Sequence, residues 1–190
     1  MKREPCTLRA IVSKGNASLL ERPTLALLCS VRCPGKLILD TYDLMQRLRE
    51  TGVTVISGFH SPMEKESLTI LLRFPNPVIW CLARGMLKTT PREFRAAVDG
   101  SRLLVISPFP EKVRHVTAET AKIRNRFVAD MASAVIVPHA AAGSKMEAFC
   151  REILTSGKPL YTFDHPANAA LLNAGAKTVT PNTDWKQILK

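Results

Sequence analysis

Long uninterrupted apolar runs are missing from this 190-residue sequence. No stretch of about 18 uncharged apolar residues occurs, which excludes a membrane-spanning helix. Met1 to Pro5 is polar with no apolar segment behind it, so no secretory signal is visible and the cytoplasm is the expected compartment. Aromatic residues make up only 6% of the chain, which leaves few stacking platforms for exposed bases. Also absent are the G-x-G-x-x-G dinucleotide fingerprint and the G-x-x-x-x-G-K-[ST] phosphate loop. No Ser/His/Asp or Cys/His arrangement stands out from spacing. Cysteine is odd in number: Cys6, Cys29, Cys33, Cys81 and Cys150. Several lie inside apolar runs, as reduced core thiols do. Cys29 and Cys33 are separated by three residues rather than the two of a zinc knuckle, and no second pair accompanies them. His115, His139 and His165 also lack metal spacing. No metal and no cofactor are expected.

Positive charge is what the chain has in excess. Lys and Arg number 27 against 16 Asp and Glu, a net charge of +11. Charge on this scale favours polyanions, because each neutralised phosphate releases counterions. The same charge also serves as a solubilising surface. The basic residues are dispersed and form no tail, but folding can gather them on one face.

Apolar runs of strand length alternate with helical patterns along the chain. Thr24–Val31, Val53–Ile56, Pro77–Ala83, Arg102–Ser107, Ala134–Val137 and Lys158–Phe163 read as strands, with Thr178-Val179 a possible last one. Helices are expected over 37–50, 62–72, 91–98, 118–132 and 145–154, with short ones at 167–173 and 184–189. Thr7–Val12 reads as an edge strand or an N-terminal arm, followed by a Lys14-Gly15-Asn16 turn. This alternation means βαβ units. The fold class is α/β, a Rossmann-like doubly wound, mainly parallel sheet of about six strands with helices on both faces. No repeat, linker or low-complexity tract divides the chain, so one domain over 1–190 is expected, with 1–23 as its arm.

In such sheets ligands sit beyond the carboxyl ends of the strands. The segment 123–150 carries the strongest local signal there. It reads as helix, strand, small-residue loop (Ala140 to Ser144), then helix. Bare backbone N–H groups before a helix start suit an anion; the bland reading is a tight turn. Arg124 and Arg126 are two apart on a helix and so do not share a face. One can therefore reach the site while the other is solvated. Asn125 can bond a phosphate or a base edge, or cap its own turn. Lys145 either reaches a phosphate or lies in water. Glu147 reads as an acid/base group, as a partner for a ribose hydroxyl, or as an ordinary first-turn acid. His60 follows Ser57-Gly58 and either contacts a ligand or is an incidental loop histidine.

Taken together, these segments resemble the DNA-processing protein A (DprA, or Smf) family. The resemblance lies in Lys14-Gly15-Asn16-Ala17-Ser18-Leu19-Leu20 leading to Cys29-Ser30-Val31-Arg32, and in Gly52-Val53-Thr54-Val55-Ile56-Ser57-Gly58. It continues in Arg124-Asn125-Arg126 through Val137, in Gly143-Ser144, and in Gly157-Lys158-Pro159. It covers about residues 14 to 180. The resemblance implies a basic pocket for a phosphate or nucleotide lined by Ser30, Arg32, Ser57, Gly58, Arg124, Asn125, Arg126, Gly143 and Ser144, to which the residue reading adds His60 and Lys145. It also implies single-stranded DNA as ligand, a RecA-type recombinase as partner and a homodimer; no winged-helix domain is expected in this chain. A second resemblance is to LOG-type nucleotide phosphoribohydrolases, through Arg124–Arg126 and Pro138…Gly143-Ser144-Lys145-Met146-Glu147. It implies Glu147 and Arg124 as catalytic residues acting on a nucleoside monophosphate; the competing reading is a nucleotide-binding or sensing module without catalysis.

Overall fold

The computed structural model describes residues 11–190. Eight strands form one sheet: β1 (Val12–Lys14), β2 (Thr24–Leu27), β3 (Thr54–Ser57), β4 (Val78–Cys81), β5 (Leu103–Ser107), β6 (Ala134–Ile136), β7 (Leu160–Phe163) and β8 (Lys177–Val179). Their order is β1-β5-β4-β3-β2-β6-β7-β8. All neighbours are parallel except β1, which runs antiparallel to β5. The chain walks outward from β2 to β5, then returns to lay β6 on the other side of β2. The doubly wound α/β architecture is therefore present, and its switch point lies between β2 and β6.

Strands β2 to β7 are apolar without alternation because both faces are covered. Leu25, Leu27 and Val55 face one helical layer, where α1 (Gly35–Leu48) supplies Leu37, Leu44 and Met45. Ala26, Leu28 and Ile56 face the other, where α4 (Ala118–Met131) supplies Val128 and α5 (Lys145–Thr155) supplies Ile153. The remaining helices are α2 (Pro62–Leu72), α3 (Arg92–Asp99), α6 (Ala169–Asn173) and α7 (Trp185–Ile188). Lys158 closes the end of α4 by donating to the carbonyls of Ala129, Asp130 and Ala132.

The sheet has eight strands rather than about six because the two extra ones are short edges with little apolar signature. β1 is wholly exposed, and Lys14 belongs to it rather than to a turn. Thr7 to Ala10 lie outside the described residues. Residues 12–21 do not form a free arm. They pair with β5 and then form a 3₁₀ turn (Ala17–Glu21) that buries Leu19 under an Asn16 cap.

Candidate functional site

The loops leaving β2 and β6 diverge at the switch point and are then stitched together. The N–H of Ser30 donates to the His139 carbonyl at 3.0 Å. The N–H of Ala141 donates to Ser30 Oγ at 3.1 Å. Ser30 thus fixes the spacing of the two loops.

A second tie joins the β2 loop to the β3 loop through Glu64. Its carboxylate is buried and accepts three backbone N–H bonds. Oε1 takes Cys29 N at 2.9 Å, and Oε2 takes His60 N at 2.8 Å and Ser61 N at 3.3 Å. The local cause is a capping box at the start of α2, in which Ser61 Oγ accepts from Glu64 N. The bond from Cys29 is long-range and makes the cap a clamp. Within the clamped loop, Ser57 Oγ accepts from Phe59 N at 3.1 Å. Phe59 is buried and has φ +46°, a left-handed backbone that costs a non-glycine residue energy.

Arg124 reaches this loop from α4. It is 4% exposed, and its guanidinium lies against the α-carbon of Gly58, whose missing side chain makes the room. The Gly58 carbonyl accepts from Trp80 Nε1 at 3.2 Å. Arg124 Nε donates to Asn125 Oδ1 at 2.8 Å. Among the described residues its terminal nitrogens form no hydrogen bond and no ion pair. Burial pulls its pKa down, opposed by the nearby Glu64 charge, and the group stays cationic. It is a near-buried cation with unspent donors.

The small-residue loop after β6 is closed on itself. Gly143, at φ +69°, donates to Glu147 Oε2 at 2.7 Å. Ser144 caps α5 by accepting from Glu147 N at 3.1 Å. Arg151 donates twice to Glu147 Oε1, at 2.7 and 3.0 Å. Arg151 first, and then the Gly143 N–H, hold the Glu147 carboxyl below the usual range. Its oxygens are engaged by its own helix and loop, not by Arg124.

Arg32, His60 and Lys145 are exposed on the β2, β3 and β6 sides of the rim. Arg126 is not brought together with the others. It ion-pairs with Glu152 of α5 and lies 5.5 Å over the Phe149 ring. The two-residue offset from Arg124 turns it onto a different side of α4.

Sequence reasoning missed Glu64, although Ser61-Pro62-Met63-Glu64 before an apolar run is a readable capping signal. It also missed His139, which is buried with Nδ1 3.0 Å from Asn168 Oδ1. Asn168 Nδ2 is spent on the Pro138 and Phe163 carbonyls. Its Oδ1 must therefore accept from His139, which puts the ring hydrogen on Nδ1 and leaves Nε2 an acceptor when neutral.

Exposed, uncommitted cations stand at both ends of the sheet, Arg22 and Lys186 among them at the amino ends, where the half-buried cations are spent. At the amino ends, Arg102 donates to the Leu72 and Phe74 carbonyls, Arg49 stacks at 3.7 Å on Phe74, and Lys158 caps α4. At the carboxyl ends, Arg32, Lys88, Lys112 and Arg114 make no hydrogen bond or ion pair among the described residues. Among those residues, no cluster of three or more His, Cys, Asp or Glu has metal-binding geometry. No helix there is long and apolar enough to cross a membrane.

The family model for DNA recombination-mediator protein A matches residues 1–189. The chain belongs to that family. No curated protein sequence matches it. DNA processing protein A (DprA) from Streptococcus pneumoniae superposes with a TM-score of 0.74 at 21% identity, covering 90% of this chain and 62% of that one. The chain thus spans less than two thirds of the pneumococcal protein. DNA processing protein A from Helicobacter pylori, solved for its single-stranded DNA binding mode, superposes at 0.76 with 19% identity, covering 99% and 87%. The molybdenum cofactor binding protein of Rippkaea orientalis is more distant, at 0.58 and 12% identity over 84% and 90%. At these identities the likeness is one of fold, and this DprA-family chain shares its doubly wound sheet with all three.

Proposed function

We propose that this DprA-family chain binds single-stranded DNA, with a backbone phosphate received at the carboxyl ends of β2 and β3. One observation carries the reading. Arg124 is a near-buried cation with unspent terminal donors, backed by Gly58 where the clamped loops meet. The Glu64 charge lies nearby but accepts nothing from those terminal nitrogens, so an anionic ligand would engage the free donors, and a guanidinium fork suits phosphate. Arg32, Lys112 and Arg114 stand uncommitted on the same end of the sheet and would follow the strand's backbone. Ser30, Ser57, Gly58, Asn125, Gly143, Ser144, His60 and Lys145 would shape the pocket, some by positioning the loops rather than by contact. Arg126, already paired, takes no part.

Binding is favoured over hydrolysis. A phosphoribohydrolase needs a carboxylate free to act beside the ribose, and Glu147 is held by Gly143 and Arg151. A RecA-type recombinase and a second copy of the chain are the protein partners in this reading, and the cytoplasm its compartment.

Fluorescence anisotropy with labelled oligo-dT across a salt series tests the proposal. Affinity should fall steeply with salt, by a log–log slope of about 0.7 per phosphate contacted. Arg124→Ala should weaken binding and make the slope shallower. Salt-insensitive or absent binding would reject the reading. Release of free base from a nucleoside monophosphate, lost in Glu147→Gln, would replace it with the hydrolase.

A further inference from the structure

A hollow lies at the amino ends of β2 and β3, the opposite end of the sheet from the loops that the DNA reading uses. The two strands enter the sheet side by side, Thr24 opposite Thr54. The segments leading into them and the end of α7 enclose a cavity of about 200 Å³, open to solvent. Its base is apolar: Val53 and Leu189 are each 6% exposed, and Pro23 flanks them. Its rim is cationic, made by Arg22, Lys186 and Lys190. All three are exposed, and their side chains make no hydrogen bond or ion pair among the described residues. The wall they stand on is fixed. Asp184 caps α7 by accepting from the N–H groups of Lys186 and Gln187. Trp185 is buried and meets the Tyr161 ring edge-on at 5.2 Å. Among the described residues no acidic side chain lines the cavity; Glu21, next to Arg22 in sequence, stays outside its wall. Three like charges therefore surround one apolar hollow with no counter-charge in the wall.

We propose that this cavity binds a small amphipathic anion, a phosphate or carboxylate carried on a compact apolar body such as a single ring. Size sets the class. An apolar cavity of about 150 Å³ accepts benzene, whereas drug-sized ligands occupy roughly 300–1,000 Å³. A cavity of about 200 Å³ therefore takes one ring or a short alkyl chain, with the head group left at the mouth. The body covers Pro23, Val53 and Leu189 and releases the water there. The head group meets one guanidinium and two ammonium groups, which donate to phosphate or carboxylate oxygens. Both halves of the ligand are needed: a bare anion forgoes the base, and a neutral ring forgoes the rim. A nucleic-acid strand suits the hollow poorly, because no aromatic side chain lines it for a base to stack on. The site shares no residue with the carboxyl-end loops, so it stands whether or not DNA binds there.

The test is an amide NMR titration of the whole protein with four probes: phenyl phosphate, benzoate, benzyl alcohol and inorganic phosphate. Phenyl phosphate and benzoate should shift the amides of Gly52, Val53, Lys186 and Leu189 in a saturable way, and the better of the two names the head group. Benzyl alcohol and inorganic phosphate should each bind on the order of tenfold more weakly. Arg22→Gln with Lys186→Gln should weaken the aryl anion on the order of tenfold, about two- to fivefold for each exposed charge removed. Both changes are on the surface, and the amide spectrum of the double variant reports its fold directly. Three results would overturn the proposal. Inorganic phosphate matching phenyl phosphate would mean a charged surface without a built cavity. Shifts confined to the loops after β2, β3 and β6 would place the anion in the other site. Oligo-dT moving the amides around Val53 and Leu189 more than phenyl phosphate does would assign the hollow to nucleic acid. Binding of oligo-dT at the carboxyl ends, present or absent, leaves the aryl-anion titration readable.

Discussion

A methyl group on the α-carbon of Gly58 would fall 1.6 Å from Nη1 of Arg124. The glycine is therefore the seat of the guanidinium. Gly58→Ala should push the far end of a flexible side chain aside rather than break the backbone. Unfolding stability should fall by less than about 1 kcal/mol, while oligo-dT affinity falls nearly as far as in Arg124→Ala. The double variant should bind no worse than Arg124→Ala alone, because the two changes remove the same group. Additive losses in the anisotropy titration would show that Gly58 acts by another route.

Glu64 holds three backbone N–H groups from two loops. Glu64→Ala leaves those donors without their carboxylate in a buried place. A stability loss of roughly 3–5 kcal/mol is expected, since bonds to a charged acceptor are the costly ones to lose. Glu64→Gln keeps one acceptor oxygen and should lose about half as much. Urea unfolding midpoints measure both. A cost for the alanine variant close to that of an ordinary surface change would mean the clamp contributes little.

Arg126 and Arg124 are neighbours in sequence and should behave differently. Arg126→Ala removes an exposed ion pair to Glu152 and a ring contact, worth about 0–1 kcal/mol of stability. Its oligo-dT affinity and salt slope should match the wild type. A shallower slope in this variant would move the DNA path to the α4–α5 side.

Glu147 gives a pH signature. Arg151 and the Gly143 N–H depress its carboxyl in the folded state. A depressed acid contributes stability above its unfolded pKa of about 4.3, and that contribution is lost as pH falls through the folded value. Arg151→Met should raise the Glu147 pKa toward the ordinary one and shrink this acid-side loss. Carboxyl NMR titration of the two proteins reads the shift directly. An unchanged Glu147 titration would show that Arg151 is not its main partner.

Much of the fold is legible from Thr24 onward because covered parallel strands are continuous apolar runs, and Leu25–Leu28 or Leu103–Ile106 look like nothing else. β1 and β8 are not legible in that way. Val12–Lys14 and Lys177–Val179 owe their strand state to one neighbour each, and pairing leaves no periodic mark in three residues. The site divides along the same line. That Arg124 and Arg126 part company follows from helical geometry, but which of them turns inward depends on Gly58 and on Glu152, far away in sequence. The capping box at Ser61 is written locally. Its second use, as the acceptor for Cys29, exists only once β2 and β3 lie side by side.

The two rims of the sheet bear on whether another molecule can extend it. Each outer strand is three residues long and carries a lysine, Lys14 on one side and Lys177 on the other. Short, charged borders of this kind discourage a neighbouring molecule from continuing the ladder. A dimer of this chain would accordingly be built from helical faces and loops, with each molecule's strands left as a closed set.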